Sequence, residues 1–233
     1  MGRRSVSFRR SDRLHATGWR GDPAATARTM DAVVEAAITR WPRVPDVHGW
    51  LLLDARGRYR VRAPDHATSG AYDVIGKRSI IEFIGRNYQC DAGGRWFFQN
   101  GPQRVFVTLA ITPWIFRVYA AGLPVTHTGR AVAQVDALLL DEQATPILLT
   151  DLGPGAVDDR DLQLILDALA DSRGKPVSDQ QLEAWLAGPG VGTLTFRNAA
   201  GQRLPVQSVK RESLGPRFGF IVAPQAPAGV ASG

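Results

Sequence analysis

Four arginines between residues 56 and 62 have the spacing of a phosphate-binding stripe. Arg58, Arg60 and Arg62 alternate along the chain, and Arg56 precedes them in an adjoining turn. Because alternate residues of a β-strand share one face, this spacing predicts a row of guanidinium groups along one side of a sheet. Such a row suits a nucleic-acid backbone, which carries one charge per about 1.7 Å of duplex.

Two other accounts of the arginine stripe need no ligand. The stripe could be the solvated outer face of a sheet, or acids from the second half of the chain could neutralise it. The acids in question are Asp158, Asp159 and Asp161. Their side chains could also bind a cation, but a position in the first turn of a helix explains them better, because the helix dipole favours negative charge there.

A second polar group lies at the tip of an aromatic hairpin in residues 95–119. This segment holds seven of the 19 aromatic residues of the chain. A four-residue loop at residues 100–103 would pair Phe97 with Phe106 across the two strands. The residues at the predicted tip are Gln99, Asn100, Gln103 and Arg104. Their side chains could bind a peptide, a sugar or a nucleotide through hydrogen bonds.

The pairing of this hairpin divides its aromatic residues between two faces of a sheet. Trp96 and Phe98 share one face with three aliphatic residues, whereas Phe97 and Phe106 lie on the other. Cross-strand pairs of this kind contribute about 0.2–1 kcal/mol each. We therefore expect both faces to be covered and most of these rings to belong to the core.

No catalytic, metal-binding or cofactor-binding motif is present in the sequence. Cys90 could form a thiol–imidazole pair with His48 or His127, but a lone cysteine is more often a small buried residue. The histidines have no metal-ligand spacing. The glycine-containing segment at 70–79 departs from the spacing of a phosphate-binding loop. We therefore predict no catalytic residue, no metal and no cofactor, and favour a non-enzymatic protein.

The pattern of apolar and turn residues predicts an α+β fold. In the first half we expect a helix, a hairpin whose turn is Asp54–Gly57, a loop, a second helix, the aromatic hairpin and a third strand. The predicted ranges are 30–40, 50–62, 63–76, 78–89, 95–109 and 114–119. Proline in the segment after the first helix favours its end there, because the residue before proline disfavours helix.

The second half predicts the same plan. A hairpin at 135–150 is followed by helices at 158–171 and 178–188 and by three strands. The three predicted strands are 193–197, 203–207 and 218–222. Ser178 with Gln181 three residues later forms a capping-box pattern. Leu138–Asp141 repeats the sequence of Leu51–Asp54, so we expect a tandem duplication: two similar hairpin–helix–multi-strand halves, 30–120 and 121–224, with antiparallel sheets packed against helices.

Charge is concentrated in the first residues of the chain. Residues 1–29 contain seven arginines and two aspartates, which predicts a disordered basic arm or a misassigned start. Residues 225–233 predict a disordered tail. No apolar run has the roughly 18–20 residues of a membrane helix, and a single cysteine fits a reducing compartment. We therefore expect a soluble, cytoplasmic protein without a membrane partner.

Two blocks of the sequence are specific enough to indicate related proteins. They are Trp-Pro-x-Val-Pro at 41–45 and Gly-Arg-Trp-Phe-Phe-Gln-Asn-Gly-Pro-Gln-Arg-Val at 94–105. Through these motifs, residues 30 to about 120 resemble an uncharacterised family of bacterial hypothetical proteins. That family has no assigned activity, so the resemblance implies no catalytic residue, and it favours Met30 as the first residue.

Three functional hypotheses remain open on the sequence alone. The leading one is a non-enzymatic binding or scaffold module that acts through protein contacts, with a protein partner or by self-association. The first alternative is a nucleic-acid-associated protein that uses the arginine stripe. The second alternative is an enzyme of unrecognised type.

Overall fold

The computed structural model describes residues 31–42, 44–62, 71–188 and 192–226 of the 233-residue chain. The basic arm predicted at 1–29 and most of the tail predicted at 225–233 lie outside the described residues. Within the described residues, none of the helices has the length and apolar character that a bilayer crossing requires.

The described residues form five α-helices and fourteen β-strands. The helices are α1 (Ala32–Arg40), α2 (Arg78–Arg86), α3 (Leu162–Asp167), α4 (Asp179–Ala187) and α5 (Leu214–Phe218). The strands of the first half are β1 (Val47–Leu53), β2 (Tyr59–Arg62), β3 (Tyr72–Val74), β4 (Tyr88–Cys90), β5 (Trp96–Asn100) and β6 (Gln103–Leu109). The remaining strands are β7 (Trp114–Arg117), β8 (Val125–Thr126), β9 (Val135–Leu140), β10 (Pro146–Thr150), β11 (Gly153–Val157), β12 (Leu169–Ala170), β13 (Thr195–Arg197) and β14 (Arg203–Ser208).

These strands form two mixed sheets, so the predicted α+β class is confirmed. The first sheet has the order β3-β2-β1-β6-β5-β4, and the second has the order β12-β13-β14-β9-β10-β11-β7-β8. Most neighbouring strands are antiparallel. The parallel pairs are β1 with β6, β9 with β14 and β7 with β11.

Six strands of the second sheet repeat the order of the first sheet. Without β7 and β8, and read from the other end, the second sheet runs β11-β10-β9-β14-β13-β12. The parallel pair of β9 and β14 lies in the middle, as the pair of β1 and β6 does in the first sheet. Leu51–Leu53 of β1 and Leu138–Leu140 of β9 hold equivalent positions in this order. The shared order agrees with the Leu-Leu-Leu-Asp repeat in the sequence, and the tandem duplication itself stays a prediction.

A five-residue turn with an aspartate in first position recurs between strands. One carboxylate oxygen accepts hydrogen bonds from the amides of the third and fifth residues, which fixes the turn. The aspartates are Asp54, Asp91, Asp141 and Asp171. The fourth residue has a positive φ, which favours glycine; three turns have glycine there, and the fourth has Ala144 at φ 59°.

The two sheets share one hydrophobic core. Leu53 and Val107 of the first sheet belong to the same buried cluster as Leu138 and Leu148 of the second. Indole rings join the two sheets, because Trp96 of β5 packs edge-to-face on Trp114 of β7 with ring centroids 4.9 Å apart. At about 25 cal/mol per Å² of apolar surface, this shared burial is a main source of stability.

Several predicted elements differ from the structure in extent. The loop predicted at 63–76 contains strand β3, and its residues 63–70 lie outside the described residues. The helix predicted at 78–89 ends at Arg86, because the next residues form β4 against β5. The helix predicted at 158–171 is a short 3₁₀ turn followed by α3, and it ends before Leu169 pairs with β13.

One predicted strand has an unexpected partner and another is wrong. The strand predicted at 114–119 is present as β7, but it pairs with β11 of the second sheet and not with a strand of the first. The strand predicted at 218–222 is wrong, because α5 occupies Leu214–Phe218 and Gly219 ends that helix in the left-handed conformation at φ 72°. The buried apolar side chains here are Phe218 at the end of the helix and Phe220 after it, whereas Ile221 and Val222 are exposed.

The segment after α5 is hydrogen-bonded to the first sheet and its adjoining turn. The amide of Ile221 donates to the carbonyl of Gly94 at 2.9 Å, and the amide of Leu109 donates to the carbonyl of Val222 at 2.8 Å. A Cβ atom at Gly94 would lie 2.2 Å from the carbonyl oxygen of Gly219. Only glycine therefore fits position 94 without moving this segment.

We expect the substitution Gly94→Ala to lower the free energy of unfolding by about 1–3 kcal/mol, because it adds a backbone clash to the strain of a positive φ. Gly201→Ala is the matched control, since Gly201 also has a positive φ, 76°, but no atom lies within 4 Å of its added Cβ. Urea unfolding of both variants measures the difference. Equal losses in the two variants would contradict the contact with Gly219.

Candidate functional site

The aromatic hairpin has the register that its sequence predicts. Phe97 pairs with Phe106 and Gln99 pairs with Arg104 across β5 and β6. The rings on both faces are buried, with Trp96 and Phe97 each 3% exposed. The hairpin is therefore part of the core, and only its tip is free to bind a ligand.

The four predicted tip residues have different environments. Gln99 is 4% exposed and its amide nitrogen donates to the carbonyl of Gly101 at 2.9 Å, which stabilises the turn. The amide nitrogen of Gln103 donates to the carbonyl of Pro45 at 3.0 Å. Arg104 lies over the ring of Phe97, 5.0 Å from its centroid. Asn100 is exposed. Asn100 and Arg104 thus remain accessible for binding.

Helix α1 lies beside this tip and presents exposed apolar residues. The distance from an added Cβ at Gly101 to the Cβ of Ala37 would be 3.8 Å. Val33 is 81% exposed and Trp41 is 51% exposed. We call the combined area the helix–tip surface; it consists of Val33, Ala36, Arg40 and Trp41 together with residues 100–104. Positions 33, 36 and 40 share one side of a helix.

The cations at the helix–tip surface lie on aromatic rings. The guanidinium of Arg40 is 4.8 Å from the ring centroid of Trp41. In the described part of the chain, no carboxylate forms an ion pair with Arg40 or Arg104. A cation over a ring contributes about 0.5–1 kcal/mol at an exposed site and keeps its charge available for an incoming carboxylate.

The arginines of the predicted stripe are bound within the protein. Arg58 and Arg60 each donate from Nε to Asp54 Oδ2 at 2.8 Å. Arg56 donates to both carboxylate oxygens of Asp159. This last ion pair agrees with the account in which acids of the second half neutralise part of the arginine stripe. Arg62 donates to the hydroxyl of Tyr72 at 3.3 Å.

The convergence of arginines on Asp54 affects its ionisation. Burial acts to raise the pKa of Asp54, but hydrogen bonds from Arg60, Arg58 and Arg56 outweigh burial and lower that pKa below its usual value. The carboxylate therefore stays charged and holds two of the stripe's guanidinium groups at neutral pH. A phosphate would have to displace these contacts before it could bind Arg58 or Arg60.

An enclosed histidine that the sequence did not single out as a core residue lies between the two halves. The amide of Ile115 donates to Nδ1 of His127 at 3.3 Å, so the neutral ring carries its proton on Nε2. Nε2 is 3.1 Å from the hydroxyl of Tyr59. Although the turn that holds His127 is partly exposed, the rings of Tyr59, Tyr88 and Trp114 surround its imidazole.

This environment makes His127 a structural residue. Burial lowers the pKa of His127 to about 3, so the imidazole is neutral across the physiological range. Burial also raises the pKa of Tyr59 far above its usual value. The two side chains are 68 residues apart in sequence, so no local pattern could indicate that they meet.

Cys90 does not pair with His48 or His127, the two histidines among the described residues. Its thiol donates to the carbonyl of Asp91 at 3.3 Å, and burial raises the pKa of the thiol to about 12. The group is therefore a protonated thiol at neutral pH, not a nucleophile. Among the described residues, no three His, Cys, Asp or Glu side chains are arranged to hold a metal ion.

Comparisons with known proteins identify a family but no activity. Residues 30–225 match a family described as "Protein of unknown function (DUF2946)". No curated protein matches the chain significantly. A solved structure of a DUF1285 family protein from Silicibacter pomeroyi DSS-3 is similar, with a TM-score of 0.44 and 12% sequence identity over 79% of this chain and 93% of that chain.

Proposed function

This chain belongs to the family described as "Protein of unknown function (DUF2946)", and we propose that it is a non-enzymatic binding module that recognises another protein through its helix–tip surface. The partner segment is apolar and carries acidic residues. The observation that carries the proposal is the exposure of two large apolar side chains, one on a short helix and one at the residue that caps its end.

Val33 and Trp41 are unusual for exposed positions. Their exposed fractions are 81% and 51%, and exposed Ala36 lies on the same side of α1. A contiguous apolar patch on a protein surface marks an interaction site, and tryptophan is enriched among the residues that dominate binding energy. The accessible amide of Asn100 at the adjoining tip supplies hydrogen bonds at the rim of the patch.

The charges of the helix–tip surface favour an acidic partner. Arg40 and Arg104 are its cations, and within the described residues neither is paired with a carboxylate. In a two-fold symmetric contact the same patch meets itself, so these like charges would approach one another. Self-association through this surface is therefore disfavoured, and a different protein with carboxylates beside apolar residues fits better.

The nucleic-acid alternative has less support. Three of the four stripe arginines are held by carboxylates, so they would contribute little to the release of counterions that drives binding to nucleic acid. Exposed Arg40 and Arg104 could contact phosphate, but the apolar residues between them favour a protein. A duplex DNA or RNA competitor separates the two partner classes in the experiment below.

Site-specific photo-crosslinking of the full chain tests the proposal. A photoreactive amino acid replaces Val33 in one protein and Leu164 in the control, because Leu164 is also an exposed apolar helix residue, at 36%, but lies far along the chain in α3. We expect a discrete protein adduct from position 33 and none of that mass from position 164. The adduct should decrease strongly when Arg40→Glu and Arg104→Glu are added.

Three outcomes would contradict the proposal. They are an adduct that the two charge reversals leave unchanged, an adduct whose mass equals two copies of this chain, and loss of the adduct in the presence of duplex nucleic acid. The last two would instead favour self-association and nucleic-acid binding, respectively.

A further inference from the structure

Within the described residues, strand β3 has an open edge that its counterpart in the second sheet lacks. In the shared strand order, β3 and β11 hold the same place. β11 pairs with β10 on one side and with the parallel strand β7 on the other. Among the described residues, β3 pairs with β2 alone.

The registers align the two edges residue by residue. In the first sheet, Leu52 of β1 and Val74 of β3 lie opposite the same residue of the strand between them, β2. In the second sheet, Leu139 of β9 and Ala156 of β11 lie opposite the same residue of β10. Asp73 therefore corresponds to Gly155, the residue that lies opposite Trp114 of β7.

The outward backbone groups of the two edges differ in their partners. In the second sheet, the amide of Ala156 donates to Thr112 Oγ1 at 2.8 Å, and the amide of Asp158 donates to the carbonyl of Phe116 at 2.9 Å. The corresponding amides in the first sheet are those of Val74 and Gly76. Neither donates to any group in residues 31–42, 44–62, 71–188 or 192–226.

The direction of these amides follows from one inward hydrogen bond. The amide of Ile75 donates to the carbonyl of Tyr59 at 2.9 Å, so residue 75 faces β2. Because successive residues of a strand point their amides to opposite sides, Val74 and Gly76 present theirs to the open edge. Val74 is also 45% exposed. An edge with free N–H and C=O groups is a template for an added strand.

The side chain of Asp73 selects among the strands that could add. It is exposed, and in the described part of the chain it forms no ion pair. An antiparallel pairing of β3 with β3 of a second copy would place two Asp73 carboxylates opposite each other, and like charges there are destabilising. A strand with a basic residue at that position would instead form a cross-strand ion pair.

We propose that the open edge of β3 is a strand-addition site that takes, parallel to β3, an extended apolar segment of another protein with Lys or Arg opposite Asp73. The main-chain hydrogen bonds of Val74 and Gly76 supply affinity, and Asp73 supplies specificity. This site is separate from the helix–tip surface, so either can fail while the other holds.

A peptide derived from β7, the strand that fills the equivalent edge of the second sheet, tests this proposal. The probe is a fluorescein-labelled synthetic peptide with the sequence of residues 111–118 and the change Trp114→Lys; the control peptide has Trp114→Glu at the same position. Fluorescence anisotropy with the full chain should give saturable binding of the lysine peptide. We expect the glutamate peptide to bind at least about tenfold more weakly, which is 1.4 kcal/mol.

Two variants of the chain sharpen the test. Val74→Pro removes the outward amide without a lost bond to β2 and should abolish binding, whereas Val74→Ala should retain it. Asp73→Lys should reverse the preference between the two peptides, and because Asp73 is an exposed side chain this variant keeps the fold if the proline variant does not. Bound peptide should also slow amide exchange at Val74 and Gly76.

Each contrary result overturns the proposal. Absent binding, equal affinity of the two peptides or an unchanged preference in Asp73→Lys would do so. Slow exchange at Val74 in the dilute chain alone would mean that the chain already covers this edge. Protection that appears only at high protein concentration would mean that a second copy occupies it.

Discussion

Replacing Asp141 with alanine is expected to lower the free energy of unfolding by about 3–5 kcal/mol. Asp141 is 0% exposed and accepts hydrogen bonds from the amides of Gln143 and Thr145 at 2.9 and 2.8 Å. Its other oxygen accepts from Nε of Arg211 at 2.8 Å. The substitution would leave two amides and one guanidinium without their acceptor, and buried donors without partners are costly.

Asp171→Ala is the matched control for this effect. Asp171 forms the same turn through the amides of Arg173 and Lys175, but it is only partly buried, and among the described residues it has no arginine partner comparable to Arg211. Water can bind the freed amides there, so the loss should be much smaller. Equilibrium urea unfolding of the two variants checks the difference, and equal losses would contradict the anchoring role of Asp141.

Acidification should destabilise the protein through His127. The pKa of His127 is about 3 in the folded chain and 6.5 as the ordinary value. As pH falls below 6.5 the unfolded chain takes up a proton that the folded chain does not, so the stabilisation is present above pH 6.5 and is lost toward pH 3. The loss from this group is about 2 kcal/mol by pH 5 and about twice that by pH 3.5.

Chemical unfolding at pH 7, 6 and 5 measures this loss of stability. His127→Asn keeps an acceptor for the amide of Ile115 and removes the titrating ring, so its stability should fall less steeply with pH than that of the wild type. His48→Gln is the control, because burial lowers the pKa of the partly exposed His48 as well. A wild-type slope unchanged by His127→Asn would contradict the enclosed neutral imidazole.

The sequence predicted the local elements better than their assembly. The register of β5 with β6 follows from a short turn and from alternating aromatic residues, which are both local signals. The capping box at Ser178 and Gln181 is also local, and it is confirmed at the start of α4. The identical Leu-Leu-Leu-Asp segments occupy equivalent strands, so even that short repeat carried structural information.

The placement of β7 could not be inferred in the same way. Trp114–Arg117 has the composition of a buried strand, but nothing in its sequence says that it joins β11 about 40 residues later rather than the adjacent hairpin. The contact of His127 with Tyr59 depends on that placement. Long-range pairing therefore determined the interior of the molecule, whereas local patterns determined most of its elements.

The candidate site shows the same limit. The sequence indicated a polar tip at residues 99–104, but it could not indicate that Gln99 turns inward to bind Gly101 or that α1 lies alongside. The helix was predicted, yet its exposed side became visible only once Val34 was seen to be the buried residue. A single amphipathic helix does not specify which neighbour covers it.

The proposed binding role of the helix–tip surface is tested most directly by one dissociation constant. The protein captured at position 33 is purified, and its affinity is measured for the wild-type chain, for Trp41→Ala and for the control Ile80→Ala, in which another exposed apolar residue, at 43%, is truncated. We predict that Trp41→Ala weakens binding by about tenfold or more while Ile80→Ala leaves it unchanged. Equal dissociation constants for the wild type and Trp41→Ala would contradict the account.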